Sequence, residues 1–286
     1  MTNATPFRIA INGYGRIGQC VLRALYENGY RDHLQVVAIN ELSDIDTIAH
    51  LTKYDSTHGR FHGEVAVDGD NLVVNGDRIR VLRHPEPEEL PWRLLDVDLV
   101  LECSGAYSDR ATAEKHIEAG AQRLLFSQPG DPDVDRTVVF GINDGDLNGQ
   151  DVIVAAGSCT TNCLVPVIKV LDDAFGVEQG STTTIHAAMN DQPVIDAYHH
   201  QDLRRTRSAL HNIVPVDTGL ARGIERLLPN MEGRFSSVAM RVPTLNVSAI
   251  DMVVNVREPT DIATVNQLLC GASAGSLKGI LGYTDE

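Results

Sequence analysis

Strand-length apolar runs alternate with helix-period runs through the first half of this chain. Phe7 to Asn12 reads as a buried strand, and Arg16 to Asn28 as an amphipathic helix stopped by Gly29. Leu34 to Asn40 is a second buried strand, followed by a helix from Asp44 to Lys53. Glu64 to Arg83 alternates with a period of two, and Asp68-Gly69 and Asn75-Gly76 mark hairpin turns. Further strands are expected at Val97 to Cys103, Leu124 to Ser127, Val138 to Ile142 and Asp151 to Ala155, with a helix from Asp109 to Ala119. Alternation of this kind makes a mostly parallel sheet with helices on its faces.

The texture changes after Cys159. A helix runs to Phe175 and stops at Gly176, and a β-rich run follows from Ser181 to Ala188. Asn190 to Asn212 is a polar loop without periodicity, longer than a compact domain usually carries without a purpose. A helix from Thr218 to Leu228, strands Ser236 to Arg241 and Ser248 to Val256, and a helix from Asp261 to Ala272 complete the pattern. Strands here precede and follow helices instead of alternating with them, so a second, antiparallel α+β domain is expected.

Composition narrows the class. The 286 residues are enough for two cores, and 43% hydrophobic content fits a soluble globular chain. No apolar run approaches the ~20 residues of a membrane span, and the polar start, Met1 to Pro6, is expected to carry no signal peptide. Five unevenly spaced cysteines argue for free thiols in a cytoplasmic setting. A net charge of −15 repels nucleic acid and anionic membranes over most of the surface. An anionic substrate therefore needs positive charge supplied locally.

Two motifs carry chemistry. Gly13-Tyr14-Gly15-Arg16-Ile17-Gly18 follows a strand and opens a helix. Its glycines allow a tight turn, close backbone approach to a pyrophosphate, and close helix–strand packing. The phosphates rest on the helix N-terminus. Glu41 ends the second strand at about the 20-residue spacing expected of an acid that accepts ribose hydroxyls. It repels a 2′-phosphate, which favours NAD over NADP. Alone, a Gly-rich turn and a solvated Glu would mean little; strand, spacing and acid agree here.

The second motif is Ser158-Cys159-Thr160-Thr161-Asn162-Cys163, with His186 downstream. Cys159 falls in the first turn of a helix, where unpaired N–H groups and the dipole favour a thiolate. A free thiol ionises near pH ~8.5, and a helix N-terminus or an imidazolium lowers that. A lone cysteine is more often a buried structural one; this one has a base in prospect. Cys163, one turn on, reads as packed core, and a Cys159/Cys163 metal site lacks further convergent ligands, so no metal is expected. His199-His200 reads as loop surface.

With both motifs in place, the chain resembles the glyceraldehyde-3-phosphate dehydrogenase family from Arg8 to its last residue. Further landmarks are Lys53-Tyr54-Asp55-Ser56-Thr57-His58-Gly59-Arg60, Thr184-Ile185-His186, Asp202-Leu203-Arg204-Arg205 and Arg241-Val242-Pro243-Thr244. The resemblance implies an α/β architecture, with a Rossmann-type NAD-binding domain over residues 1–158 and an antiparallel α+β catalytic domain over 159–286. It implies that Cys159 attacks the aldehyde of a phosphorylated aldose and that His186 is the base. It places Gly13, Gly15, Arg16, Ile17, Gly18, Glu41, Ser104, Gly105 and Ser127 at the cofactor. Two anion sites follow from it as well. Arg241 and one of Arg204 or Arg205 match anion-site arginines, Thr218 and Gly219 match the donors of the second site, and Ser158 and Thr160 flank the nucleophile. Arg204-Arg205-x-Arg207 otherwise reads as a solvated basic face. The family usually forms homotetramers.

Three positions depart from the glycolytic pattern. Glu41 replaces an Asp, Met189 stands where a phosphate-binding Thr is usual, and Asp217 precedes Thr218 in place of a small hydroxyl residue. A thioether donates no hydrogen bond to phosphate. With Leu90-Pro91-Trp92 and Val194 to His199, these changes look like the D-erythrose-4-phosphate dehydrogenase branch, which resolves its thioester with water and serves pyridoxal phosphate synthesis. The glycolytic activity is the alternative. Family members continue for several tens of residues past the position of Glu286, through an Asn that holds the nicotinamide carboxamide, a strand and a helix. A C-terminally truncated catalytic domain is therefore expected, and with it a third reading: a silent NAD-binding or partner-binding protein. A semialdehyde dehydrogenase would leave the Lys53 to Arg60 run unexplained.

Overall fold

The run Phe7–Asn12 is a strand, β1, whose Ile9, Ala10 and Ile11 are at most 2% exposed. The computed structural model describes residues 6–199 and 202–286 and divides the chain into two units. The first runs to Val138 and resumes over Leu147–Ala156; the second takes in Val139–Asp146 and Gly157–Glu286.

In the first unit β1 leads to helix α1 (Arg16–Glu27), β2 (Leu34–Asn40), α2 (Ile45–Lys53) and the short strands β3 (Tyr54–Asp55) and β4 (Gly59–Arg60). Then come β5 (Val65–Asp68), β6 (Asn71–Val74), β7 (Asp77–Leu82), β8 (Leu99–Glu102), α3 (Arg110–Glu118), β9 (Arg123–Phe126), β10 (Arg136–Val138) and β11 (Ile153–Ala156). Nine strands form one sheet in the order β10-β11-β9-β8-β1-β2-β7-β6-β5. It is parallel from β10 to β7, and β7-β6-β5 is an antiparallel meander. Apolar side chains cover both faces, with Ile11, Leu22, Ile39 and Ile79 in one cluster and Trp92, Val100, Leu124 and Phe126 in another. Each such burial stabilises by about 1.5–3 kcal/mol relative to exposure. Asp44 and Asp109 cap α2 and α3 by accepting from Thr47 and Thr112 N–H, each worth ~1 kcal/mol.

Two expectations shift here. The Asn75-Gly76 turn forms as read, with φ of 49° and 89°, but the turn between β5 and β6 falls on Gly69-Asp70, one residue later. Val138 to Ile142 is not a strand: β10 ends at Val138. Val139 N–H donates to Asn143 Oδ1, Gly141 adopts φ 81°, and Ile142 N–H closes a turn on Val139 O.

The second unit holds α4 (Cys159–Phe175), β12 (Val177–Ala187), β13 (Val214–Val216), α5 (Leu220–Leu227), β14 (Phe235–Val242), β15 (Ala249–Val256) and α6 (Ile262–Ala274). Its sheet runs β13-β14-β12-β15 and is mostly antiparallel, although the central pair β12 and β14 is parallel. Val165, Ile168, Val177, Leu220, Ile224 and Met231 pack its core. The stretch from Asn190 to β13 carries only a short 3₁₀ turn, Leu203–Thr206, among the described residues. Among those residues no helix is long and apolar enough to cross a membrane.

Candidate functional site

The dinucleotide motif lies at the C-terminal ends of the parallel strands. Gly13 adopts φ +85°, and a Cβ there would sit 2.4 Å from Ser104 Cα. A Cβ on Gly18 would sit 2.4 Å from the Gly13 carbonyl oxygen. Gly15 differs: a Cβ would meet nothing within 4 Å. Gly15 is also the N-cap of α1, with no side chain bonding the helix start and no acid in the first turn. Open space in front of unpaired N–H groups is what a pyrophosphate fits. Ile17 is half exposed there, and Gly105 and Ser104 are exposed on the neighbouring turn. Ser127 N–H donates to Glu102 O, which fixes the end of β9 beside that turn.

Glu41 points back at this loop. Its Oε2 accepts from Tyr14 N–H at 2.9 Å, and its Oε1 accepts from Leu42 and Ser43 N–H at 2.8 and 3.3 Å. A carboxylate has about four lone-pair sites, so one remains, on Oε2, for a ribose hydroxyl. Arg16 forms an ion pair with Asp55, whose Oδ1 also accepts from Thr57 and His58 N–H. Those bonds hold the Asp55 carboxyl far below its usual range, against the opposing effect of burial. Arg23, 3% exposed, donates to Gly59 O and His58 O. The Lys53–Arg60 run thus folds as a small antiparallel loop that steadies Arg16 and α1. These residues fit a dinucleotide.

In the second unit Ser158 caps α4, its Oγ accepting from Thr161 N–H at 3.1 Å and lying 3.0 Å from Thr160 Oγ1. That leaves Cys159 as the first helical residue, with its thiol exposed. Strand register supplies its partners. His186 of β12 lies beside Arg241 of β14 in the parallel pair. His186 Nε2 is 3.5 Å from Cys159 Sγ, and its Nδ1 is 2.7 Å from Ala187 O. A carbonyl only accepts, so Nδ1 carries a proton and Nε2 faces the sulfur. Arg241 NH1, 3.3 Å from Nδ1, then donates to Ala187 O at 3.5 Å, since two donors do not bond each other. His186 and the N–H groups of Thr160 and Cys159 hold the Cys159 thiol below its ordinary range, outweighing burial. The thiol in turn raises His186, and the Ala187 carbonyl adds to this. Both shifts favour passing the thiol proton to the imidazole.

The arginines separate. Arg241 is 9% exposed, and its NH2 lies 4.0 Å from Asp191. Arg205 NH1 is 2.9 Å from the same Asp191 oxygen. Arg204 instead pairs with Asp202 at 3.0 Å and with Asp217 at 3.2 Å. Thr218 Oγ1 accepts from Leu220 N–H, and Gly219 is the N-cap of α5 without a side-chain cap. Met189 is 46% exposed. Asp191 escaped the sequence reading; the signal available was an acid in the same loop as the arginines. Cys163, expected in the core, is exposed: the buried face of α4 runs through Thr161, Leu164, Val165 and Ile168. His199 Nδ1 accepts from Asp202 N–H, while His200 and Gln201 lie outside the described residues.

Comparison with known families matches both parts of the chain. Residues 7–110 match the glyceraldehyde 3-phosphate dehydrogenase NAD binding domain, and residues 158–286 match the glyceraldehyde 3-phosphate dehydrogenase C-terminal domain. The cofactor of the first unit is therefore NAD. Both domains occur in order along one polypeptide, and the chain belongs to the glyceraldehyde-3-phosphate dehydrogenase family.

Proposed function

We propose that this chain oxidises D-erythrose 4-phosphate to 4-phosphoerythronate through a thioester on Cys159 that water resolves. Its two domains make it an NAD-dependent oxidoreductase acting on a phosphorylated aldehyde; the substrate and the final acceptor are what we add. Residues 1–158 serve the cofactor and 159–286 the chemistry. A cytoplasmic homotetramer serving pyridoxal phosphate synthesis belongs to the same proposal.

Cys159 Sγ attacks the aldehyde carbon, and the developing oxyanion takes the proton from His186 Nε2. The Cys159 N–H at the helix start offers a donor to that oxygen. His186, now neutral, recovers the proton from the thiohemiacetal hydroxyl as the carbonyl of the thioester forms. NAD, when bound, supplies the acceptor for the two electrons of the aldehyde C–H bond. The imidazolium releases that proton to solvent. Neutral His186 then deprotonates water, the hydroxide adds to the thioester carbonyl, and the thiolate of Cys159 leaves beside the imidazolium as the product acid ionises. Arg205 and Arg241, which now share Asp191, offer the substrate phosphate its charge.

The observation that carries the water step is Asp217. Its carboxylate, next to Thr218 and Gly219, already engages Arg204, which Asp202 also neutralises. Asp202 also reaches Arg205 at 3.7 Å, but Arg204 has both Asp202 and Asp217 against it and brings no unpaired charge to a second anion. Met189 adds no donor. The phosphorylating reading draws only on Thr218 and the N-terminus of α5. Initial rates of NADH formation with erythrose 4-phosphate and glyceraldehyde 3-phosphate, each with and without inorganic phosphate, decide between them. The four-carbon aldehyde is expected to be the better substrate, and phosphate to change its rate less than twofold. A many-fold acceleration by phosphate overturns the water step.

Glu41 carries a second prediction. Glu41→Gln keeps an acceptor for Tyr14 N–H and removes the charge that a 2′-phosphate would meet. The ratio of NADP to NAD dissociation constants, by calorimetry, is expected to fall roughly tenfold, the size of one charge-assisted hydrogen bond. An unchanged ratio would remove Glu41 from cofactor selection.

A further inference from the structure

Glu102, the last residue of β8, is 2% exposed and has no part in the chemistry above. Its Oε2 accepts from Asn12 Nδ2 at 2.5 Å. Its Oε1 accepts from Ser104 N–H at 2.8 Å and from the Ser104 hydroxyl. Asn12 ends β1 immediately before Gly13, and Ser104 begins the turn after β8. One carboxylate thus clamps together the two loops whose backbones meet at Gly13 and Ser104. The network extends sideways: Asn12 Oδ1 accepts from Asn40 Nδ2 at 2.7 Å, and Asn40 exchanges hydrogen bonds with the His84 backbone at 2.9 Å each. The ends of β1, β2 and β8 are held in one array. Burial pushes the Glu102 carboxyl up, but the bonds from His116, Ser104 and Asn12 outweigh it and keep the group ionised.

A buried carboxylate held this way needs its remaining face compensated. His116 of α3, fully buried, provides that: its Nε2 faces Glu102 Oε2 at 3.5 Å, longer than an ordinary hydrogen bond. Its Nδ1 accepts from Trp92 Nε1 at 3.0 Å, and the two rings stack. An indole N–H only donates, so Nδ1 bears no proton. The imidazole is then neutral, with its single proton on Nε2, aimed at the carboxylate. Trp92 is itself fully buried and holds this tautomer in place.

We propose that Trp92 and His116 are positioning residues of the dinucleotide site: they fix an N–H toward Glu102 so that its carboxylate holds the Asn12–Gly13 and Ser104–Gly105 turns in the form that NAD requires. The proposal rests on reading the Gly13–Gly18 loop as the dinucleotide cradle. NAD affinity is measured by calorimetry on the full chain for His116→Leu, which removes the donor, and for His116→Gln, whose amide restores one toward Glu102. The leucine variant is expected to bind NAD at least tenfold more weakly, with the glutamine variant recovering most of the loss. Alkylation of Cys159, in the other unit, is expected to stay within twofold for both. Binding by the leucine variant within twofold of wild type overturns the proposal, as does a glutamine variant no better than leucine at equal folded fraction. Where the leucine variant does not fold, nitrogen-15 histidine spectra decide. The Nε2–H tautomer is expected in the wild type and a mixture in Trp92→Phe, whereas an Nδ1–H or doubly protonated His116 in the wild type overturns the lock. Failure of the wild-type chain to bind NAD would sink the cradle reading instead, and the tautomer measurement would still judge the lock.

Discussion

Cys159→Ser is expected to lower aldehyde oxidation by at least about 10⁴-fold while NAD affinity stays within twofold of wild type. Loss of a covalent nucleophile that acts together with its base typically costs rates of this order or more. Serine keeps the volume and can keep a contact with His186 Nε2, so geometry is not what fails. A hydroxyl at this position is not ionised near neutral pH by one imidazole and two backbone N–H groups, whereas the Cys159 thiol is already lowered by them. An ester would also replace the thioester that water is to resolve. The site is exposed, so stability should change by less than about 0.5 kcal/mol. NAD affinity should hold because the substitution leaves Gly13, Gly15, Gly18 and Glu41 untouched. Steady-state NADH formation and calorimetric NAD titration measure the two halves. Turnover of the serine variant within tenfold of wild type would take the nucleophile away from Cys159.

The elements most legible in the sequence were those with both an apolar run and a chemical stop. The strand at Phe7–Asn12, the helix starting at Arg16 and the strand at Leu34–Asn40 form where the pattern puts them, because burial and local signals agree. Val139-Phe140-Gly141-Ile142 is equally apolar, yet Asn143 and Asp144 side chains accept from the Val139 and Gly141 N–H groups and turn the chain. The short strand β13 contains Pro215 at a sheet edge and gave no periodic signal in three residues. The parallel pairing of β12 with β14 was not legible either, since strand direction is not written in side-chain alternation. At the site, the partners of Cys159 could be named from sequence, but Arg204 and Arg205 are adjacent and differ only in which carboxylate each reaches across the fold. Glu102 did leave a trace: an acid inside the apolar run Leu99–Cys103. His116 and Trp92 did not, because their meaning lies in a contact between distant segments.

Replacing His186 by asparagine separates two roles that one residue holds. In the wild type the thiolate of Cys159 persists below the ordinary thiol range because His186 is the largest influence lowering it. The pH profile of iodoacetamide alkylation should therefore have its midpoint below pH ~8.5, and in the variant it should move up toward that value. At pH 7 a thiol of ordinary pKa is roughly 3% ionised, so the loss of alkylation rate has a ceiling of about 30-fold. The real loss is smaller, since a thiolate of higher pKa is the better nucleophile. Turnover should fall further, by about 10²–10⁴-fold, because the variant also lacks a base for the thiohemiacetal hydroxyl and for water. The gap between the two losses measures the proton-transfer role. Raising the pH restores thiolate, and so it should recover alkylation in the variant but not turnover. If alkylation and turnover fell by the same factor, and both returned at high pH, His186 would only ionise Cys159 and the general base would have to be sought elsewhere in the second unit.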